Sequence, residues 1–497
     1  MWPEEFQHSR SLNLVLRFGI AILVLAFYVT AVLHYSYTPD DTYIYLQYAR
    51  NIAEGNGFSF NIGEPSYGVP GPLWALLIAA GAAGGLDPFV VAKTIDLFFA
   101  GLSVIIALRL SVEILKDPLY ALVATAVVAT DTWLLRWAGS GLETSLSVLL
   151  VLLTFFYVYR TEYALASLSA AFLTLVRPEG ALLFVLVQAD NVINTSNWRL
   201  AFRVTLKSTG VYAAVLAPWM VYALLTFGKV IPNTFDAQTI SGYSLESLIG
   251  VLGSEVKILL ISQGISIALL LIGVAGVLRR SSLRHAWIEV FPLVWPLALL
   301  LFYSIMNVQV VSRYLLLVSP VIAIFGVWGV KKSTEFWKLR WRTSLGLLAG
   351  LVMISGVQNQ VFYHLKVLPH LKGFILGMEE CLRPMGYELR KMGGPTTSVL
   401  TSDIGLVGYV SGVKVYDTAG ILSPEIRKQF SGLTYDDGME QEVYLNVIRP
   451  DFVLDRSHQP GRLETAELKK IMSCRFPSLG LMFESQVYYT LYKRGSS

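Results

Sequence analysis

Two adjacent carboxylates, Asp40 and Asp41, stand at the head of a long polar loop, shortly after an apolar run from Phe18 to Leu33. An acidic side chain at a membrane surface can deprotonate an acceptor hydroxyl as that oxygen attacks, and partial burial near the headgroups raises its pKa in the useful direction. The same pair also has a plainer use. At a helix start, one Asp can cap free N–H groups while the other complements the helix dipole. The two uses are compatible, because a capping Asp is also held in place for chemistry.

Further ionisable groups fall on the same side of the apolar runs: Arg50, Lys93, Asp96, Arg136, Glu143, Arg177, Glu179, Lys229, Lys257 and Arg313. Singly, each reads as an interface anchor whose charged end reaches water. Together they could line a cavity with carboxylates for a sugar and cations for a phosphate, which the planar fork of Arg binds at two oxygens. No P-loop, Rossmann glycine fingerprint or zinc-protease helix motif is present. The six His residues, His8, His34, His285, His364, His370 and His458, lack ligand spacing, so no cofactor is implied and nothing indicates a divalent metal. An enzyme outside the cytoplasm without a nucleotide site needs an activated donor delivered in the membrane, and a polyprenyl-phosphate sugar meets that need.

The elements that must position these groups are membrane helices. Only 15% of the 497 residues are charged, 54% are hydrophobic and the mean hydropathy is +0.56, values that exclude a soluble enzyme. The net charge of +4 is small and its basic residues are scattered, which argues against a nucleic-acid partner. Apolar runs occur at Phe18 to Leu33, Phe89 to Leu108, Leu119 to Leu135, Thr144 to Tyr159, Tyr163 to Val176 and Gly180 to Val192. They continue at Gly210 to Phe227, Leu259 to Leu278, Trp287 to Ile305, Tyr314 to Val330 and Ser344 to Val357. That predicts about eleven crossings. The first run follows Arg10 and Arg17 without a small-residue cleavage site, and reads as a retained span. Arg and Lys clusters then fall on alternate loops, putting the N-terminus in the cytoplasm and the C-terminal part outside a plasma (inner) membrane. The short run Pro72 to Ala83 suits an interfacial or re-entrant helix, and Arg177-Pro178-Glu179 the outer turn of a helical hairpin.

The chain is expected to divide into a transmembrane domain, residues 1–360, and a soluble domain, residues 361–497. The first outer loop, residues 34–88, is far longer than a connection needs to be. In it, Thr42 to Glu54 reads as an amphipathic helix lying at the interface, ended by Gly55-Asn56-Gly57. The soluble domain shows turn signals at Gly393-Gly394-Pro395 and Asp436-Asp437-Gly438. Its short β-rich runs at Ser398 to Thr401, Val413 to Tyr416, Phe452 to Leu454 and Val487 to Tyr492 indicate an α/β or α+β fold. Its Cys381 and Cys474 fit either a disulfide or two free thiols.

From Asp40-Asp41 through Arg50-Asn51 to Gly63-Glu64, followed by Gly71-Pro72-Leu73-Trp74, the sequence resembles the C superfamily of glycosyltransferases (GT-C), and within it the branch that includes the mycobacterial arabinofuranosyltransferases. Ser140-Gly141-Leu142-Glu143-Thr144, Arg177-Pro178-Glu179-Gly180, Pro232-Asn233-Thr234-Phe235, Ser312-Arg313-Tyr314 and Ser402-Asp403-Ile404-Gly405 extend the likeness, as do Asp417 and Pro424-Glu425. The resemblance implies a polytopic inverting enzyme that takes sugar from a polyprenyl-phosphate donor on the outer face. It implies Asp40 as the base with Asp41 as alternative or helper, Glu143 as a second acid, and Arg177 and Arg313 at the lipid phosphate. Arg50, Glu179 and Asn233 join them as donor-binding candidates. Asp236-Ala237-Gln238 departs from the family pattern of an aromatic followed by Lys. A glycan, lipid or protein in the cell envelope is the implied acceptor, and the arabinosyl likeness points to a pentofuranose. A lipid-sugar flippase or transporter is the rival reading, disfavoured by the absence of an internal repeat and by charges at helix ends. A noncatalytic envelope scaffold would leave the acidic loop unexplained.

Overall fold

Two helices begin with the same local code, an Asp followed at once by Pro. Asp87 accepts from the N–H groups of Phe89 and Val90, and Asp117 from those of Leu119 and Tyr120. The proline after each lacks an N–H that the first turn would leave unpaired anyway. The computed structural model describes residues 10–33, 35–238, 244–280, 289–394, 396–477 and 487–495. His8, His34, His285 and Pro395 lie outside them.

The helices of the first half are α1 (Arg10–Val32), α2 (Asp40–Ala53), α3 (Pro72–Ala83), α4 (Pro88–Leu115), α5 (Pro118–Ala129), α6 (Thr132–Trp137), α7 (Thr144–Tyr159), α8 (Tyr163–Val176), α9 (Gly180–Asn194) and α10 (Trp198–Phe227). After them come α11 (Asn233–Gln238), α12 (Leu245–Arg280), α13 (Val294–Ile305), α14 (Ser312–Leu315) and α15 (Ser319–Phe336). Among the described residues, four helical stretches are long and apolar enough to cross a membrane: α4, α10, Leu245–Arg279 and Arg342–Met392. Most other expected spans are apolar helices too short to meet that length on their own. The expected span Leu119 to Leu135 is broken, because Asp131 caps α6 through the N–H groups of Trp133 and Leu134. This is a multi-pass helical membrane fold.

α16 (Trp341–Phe362) continues through two π-helical turns, α17 (Leu368–Gly377) and α18 (Arg383–Met392) as one helical rod. The expected boundary between residues 360 and 361 falls within α16. Beyond the rod, a five-stranded sheet is built from β1 (Ser398–Thr401), β2 (Lys414–Asp417), β3 (Phe452–Ser457), β4 (Leu468–Phe476) and β5 (Val487–Arg494) in the order β2-β1-β3-β5-β4. β1 runs parallel to β2 and β3, and β5 runs antiparallel to β3 and β4. Short helices α19 (Gly405–Ser411), α20 (Pro424–Gln429) and α21 (Tyr435–Glu440) connect these strands. The turn expected at Asp436-Asp437-Gly438 is instead part of α21, whose start is capped by Thr434 accepting from the Asp437 N–H. Cys381 and Cys474 form a disulfide with Cα atoms 5.6 Å apart, fastening the rod to β4.

α2 corrects a second expectation. An interfacial helix leaves its polar face to water, but here Thr42 through Ala49 and Asn51 are all buried. The polar groups face inward because they have partners. Gln47 and Asn51 donate to the Phe60 carbonyl, and Asn51 also to that of Ser59. The sheet-bearing domain covers the helix through α19, with Tyr43 against Tyr409.

Candidate active site

Asp40 and Asp41 occupy the first turn of α2 after Pro39, and neither caps its own helix. Asp40 accepts from the N–H groups of Gly405 and Leu406, both at 2.8 Å, and so caps α19 of the sheet-bearing domain. The approach is close enough that a Cβ on Gly405 would come within 2.0 Å of the Asp40 carbonyl oxygen. Burial, reinforced by the nearby Asp403, pushes the Asp40 carboxyl up to about 7 against the lowering effect of those two N–H bonds. Asp41 points the other way. Its side chain is 47% exposed and accepts from the Arg313 guanidinium at 2.6 Å.

Asp41 and Arg313 line a cleft of about 860 Å³ together with Tyr45, Glu143, Arg177 and Glu179. Glu143 is delivered by the turn after α6. Lys93 of α4 donates to the Gly139 carbonyl at 2.6 Å, Asp96 accepts from the Gly141 N–H at 2.9 Å, and Thr42 and Trp74 donate to the carbonyls of Ser140 and Gly141. Gly141 itself has φ +87°, a conformation that L side chains rarely adopt. Lys93 and Asp96, expected among the site charges, are thus buried braces of this turn.

From the α8–α9 turn Arg177 donates to Glu143 at 3.0 Å and to Glu179 at 3.2 Å, and its guanidinium rests over the Tyr314 ring at 4.5 Å. Tyr303 donates to Glu179 at 2.6 Å. Burial alone would pull the Arg177 and Arg313 guanidinium pKa values down, but Glu179 and Glu143 around the first and Asp41 beside the second hold both above the ordinary value. Four buried polar atoms at the cleft have no hydrogen-bond partner among the described residues: Glu143 Oε2, Arg177 Nε, Glu179 Oε2 and Arg313 Nε. Buried polar groups are nearly always satisfied, so these are free to meet a polar ligand. They offer acceptors for sugar hydroxyls beside donors for an oxyanion.

Two expected site residues lie elsewhere. Arg50 bonds Gln47 and lies 4.6 Å from the centre of the Tyr409 ring, at the contact with the sheet-bearing domain. Asn233 is held by Lys229 and donates to the Ile421 carbonyl at 2.7 Å, while its neighbours Thr234 and Phe235 line the cleft. Lys257 is exposed on α12. Sequence reasoning missed the aromatic lining of Tyr45, Tyr303 and Tyr314, and it missed Ile421. The latter reaches the cleft because Asp417 accepts from the N–H groups of Ile421, Leu422 and Ser423. An aromatic directly after a motif Arg, as in Arg313-Tyr314, was the available signal. Among the described residues no group of three or more His, Cys, Asp or Glu side chains is arranged to hold a metal ion.

The fold is similar to the crystal structure of ArnT from Cupriavidus metallidurans bound to undecaprenyl phosphate, with TM-score 0.60 and 12% identity over 95% of this chain and 97% of that one. The apo state of the same protein gives TM-score 0.60 and 12% identity over 94% and 97%. The apo oligosaccharyltransferase of Archaeoglobus fulgidus gives TM-score 0.51 and 13% identity over 88% of this chain and 69% of that one. Residues 377–492 match a family described as a domain of unknown function, DUF8728. No curated protein matches in sequence. The whole-chain likeness, together with the apolar helices and the small C-terminal sheet, establishes that this chain has the GT-C membrane fold.

Proposed function

We propose that this protein is an inverting glycosyltransferase that moves a sugar from a polyprenyl-phosphate donor to an acceptor hydroxyl at the outer membrane face. The observation that carries the reading is the position of Asp41, half exposed and paired with Arg313 in a cleft that Arg177 and Glu143 also line. A neighbour of the same fold, ArnT, is bound to undecaprenyl phosphate, which supports a donor of that class.

In this mechanism Asp41 takes the proton from the acceptor O–H. The acceptor oxygen forms a bond to the anomeric carbon as the bond from that carbon to the phosphate oxygen breaks. The released electron pair stays on the polyprenyl phosphate, where Arg313 and the free Nε of Arg177 stabilise the growing charge. Arg313 has a double duty. Without donor it pairs with Asp41, and an incoming phosphate competes for the same guanidinium and leaves the carboxylate free to act. Asp40 serves by position, holding the sheet-bearing domain on the first turn of α2 so that Asp41 faces the cleft.

The likeness of the loop after α1 to arabinofuranosyl enzymes supports a pentofuranose as the transferred sugar and a cell-envelope glycan, lipid or protein as acceptor. A panel of polyprenyl-phosphate sugars offered to the protein in nanodiscs tests the reaction, with the product's anomeric configuration determined by NMR. Inverted product from one donor is expected. Retained configuration would contradict a single displacement at Asp41.

A further inference from the structure

A second cleft, of about 1360 Å³, opens beside the first and shares Asp41 and Arg313 with it. Tyr37, Trp133, Trp137 and Phe374 give it aromatic walls. Arg136 also lines it and is only 6% exposed. Its Nε and Nη1 have no hydrogen-bond partner among the described residues, and its Nη2 reaches only the Tyr37 hydroxyl, at 3.4 Å. Its guanidinium rests near the Tyr37 and Trp137 rings, 5.6 and 5.2 Å from their centres.

A buried cation without a partner is unfavourable. Lys93 nearby is satisfied by the carbonyls of Tyr37 and Gly139, and other guanidinium groups of this chain have carboxylates. Arg177 has Glu143 and Glu179, Arg456 has Asp403, and Arg462 has Asp455. Asp40 and Asp403 also line the second cleft, but their carboxylates are engaged by the Gly405 and Leu406 N–H groups and by Arg456. Arg313 lies 5.6 Å from the centre of the Trp137 ring that Arg136 also approaches. The two guanidinium groups are therefore no farther apart than those two ring distances together, and the unsatisfied one lies within reach of a molecule that also touches Asp41.

We propose that this second cleft is the acceptor subsite and that Arg136 binds an oxyanion there, the phosphate or carboxylate of an acceptor sugar whose ring stacks on the Trp walls. The acceptor role rests on the transferase reading. The geometry suits it: an apolar wall for a sugar face, unpartnered guanidinium N–H groups at Nε and Nη1 for oxyanion oxygens, and the base at the junction with the donor cleft.

The test uses the full chain in phosphatidylcholine nanodiscs, with glucose 6-phosphate, glucuronate and glucose as probes and equilibrium binding and thermal unfolding as readouts. A second arm replaces part of the phosphatidylcholine by phosphatidylglycerol. Wild type should bind the anionic sugars at least tenfold tighter than glucose. Arg136→Gln should lose that preference and Arg136→Lys should keep part of it, since the charge remains without the fork. Without ligand, Arg136→Gln should unfold at a higher temperature than wild type, whereas an Arg with a purely structural role would lower it. A preference for phosphatidylglycerol alone, lost in Arg136→Gln, supports the oxyanion site and makes a lipid headgroup its source. Equal binding of charged and neutral probes by wild type, or an unchanged preference in Arg136→Gln, overturns the proposal. Binding is read without turnover, so intact binding in a protein that transfers no sugar would sink the transferase reading and leave the oxyanion site standing.

Discussion

Asp40 commits both carboxylate oxygens to the N–H groups of Gly405 and Leu406, while Asp41 has one cation beside it and remains open to the cleft. The family resemblance favoured Asp40 as the base with Asp41 as alternative or helper, and the sequence could not show the partners that distinguish them, which lie some 270 to 370 positions away. The raised Asp40 pKa has a signed consequence. The folded protein holds that proton up to about pH 7, whereas the unfolded chain releases it near the ordinary carboxylate value. The folded state therefore binds more protons in this window, and its stability should fall as pH rises from about 4 through about 7. Thermal unfolding across that range should show the fall in wild type and lose that component in Asp40→Asn. The buried Arg177 gives a second expectation. Arg177→Gln leaves Glu143 and Glu179 without their cation and should cost about 3 to 5 kcal/mol, read by denaturant unfolding. An unchanged stability would mean that the carboxylates are not held by that charge.

Among the elements, α2 does the most to build the site, and it is also where sequence periodicity was least informative. Gln47, Arg50 and Asn51 read as a water-facing side, yet Gln47 and Asn51 bond the loop carbonyls at Ser59 and Phe60 while α19 packs on the helix. Nothing local in α2 announces that a segment near residue 405 will cover it. The helical hairpin at Arg177-Pro178-Glu179, by contrast, was legible, because a charged Pro-containing turn between two apolar runs has few other uses. Four strands were also legible from their β-branched and aromatic runs. β4 was not, since its Lys469, Lys470 and Arg475 mask the alternation. The packing of α19 on α2 yields a sharp expectation for Gly405→Ala. The added Cβ meets the Asp40 backbone, which cannot yield as a flexible side chain would. That overpacking should cost about 1 to 3 kcal/mol and lower transfer activity although Gly405 is not part of the lining of either cleft. Full activity in Gly405→Ala would show that docking at Asp40 does not position the base.

At the scale of the whole molecule, composition alone placed the chain in a membrane, and the ordered motifs anticipated the GT-C fold. What composition could not show was continuity between the parts. The rod from α16 to α18 runs unbroken past the expected domain boundary, and the Cys381–Cys474 bond ties it to the sheet. Removing that bond by replacing both cysteines with Ser should cost about 2 to 4 kcal/mol, measured as a lower unfolding temperature under non-reducing conditions. Asp40, Ile421 and the disulfide each connect the sheet-bearing domain to the helical part, which gives the domain a role in shaping the cleft. Asp41 is proposed as the base and Asp40 as its positioning neighbour. The most direct test is sugar-dependent release of polyprenyl phosphate in nanodiscs by wild type, Asp41→Asn and Asp40→Asn, each confirmed as folded. A drop of about 100-fold to 10,000-fold for Asp41→Asn with a smaller loss for Asp40→Asn is the predicted result. Full release by Asp41→Asn, with the activity lost only in Asp40→Asn, would contradict it.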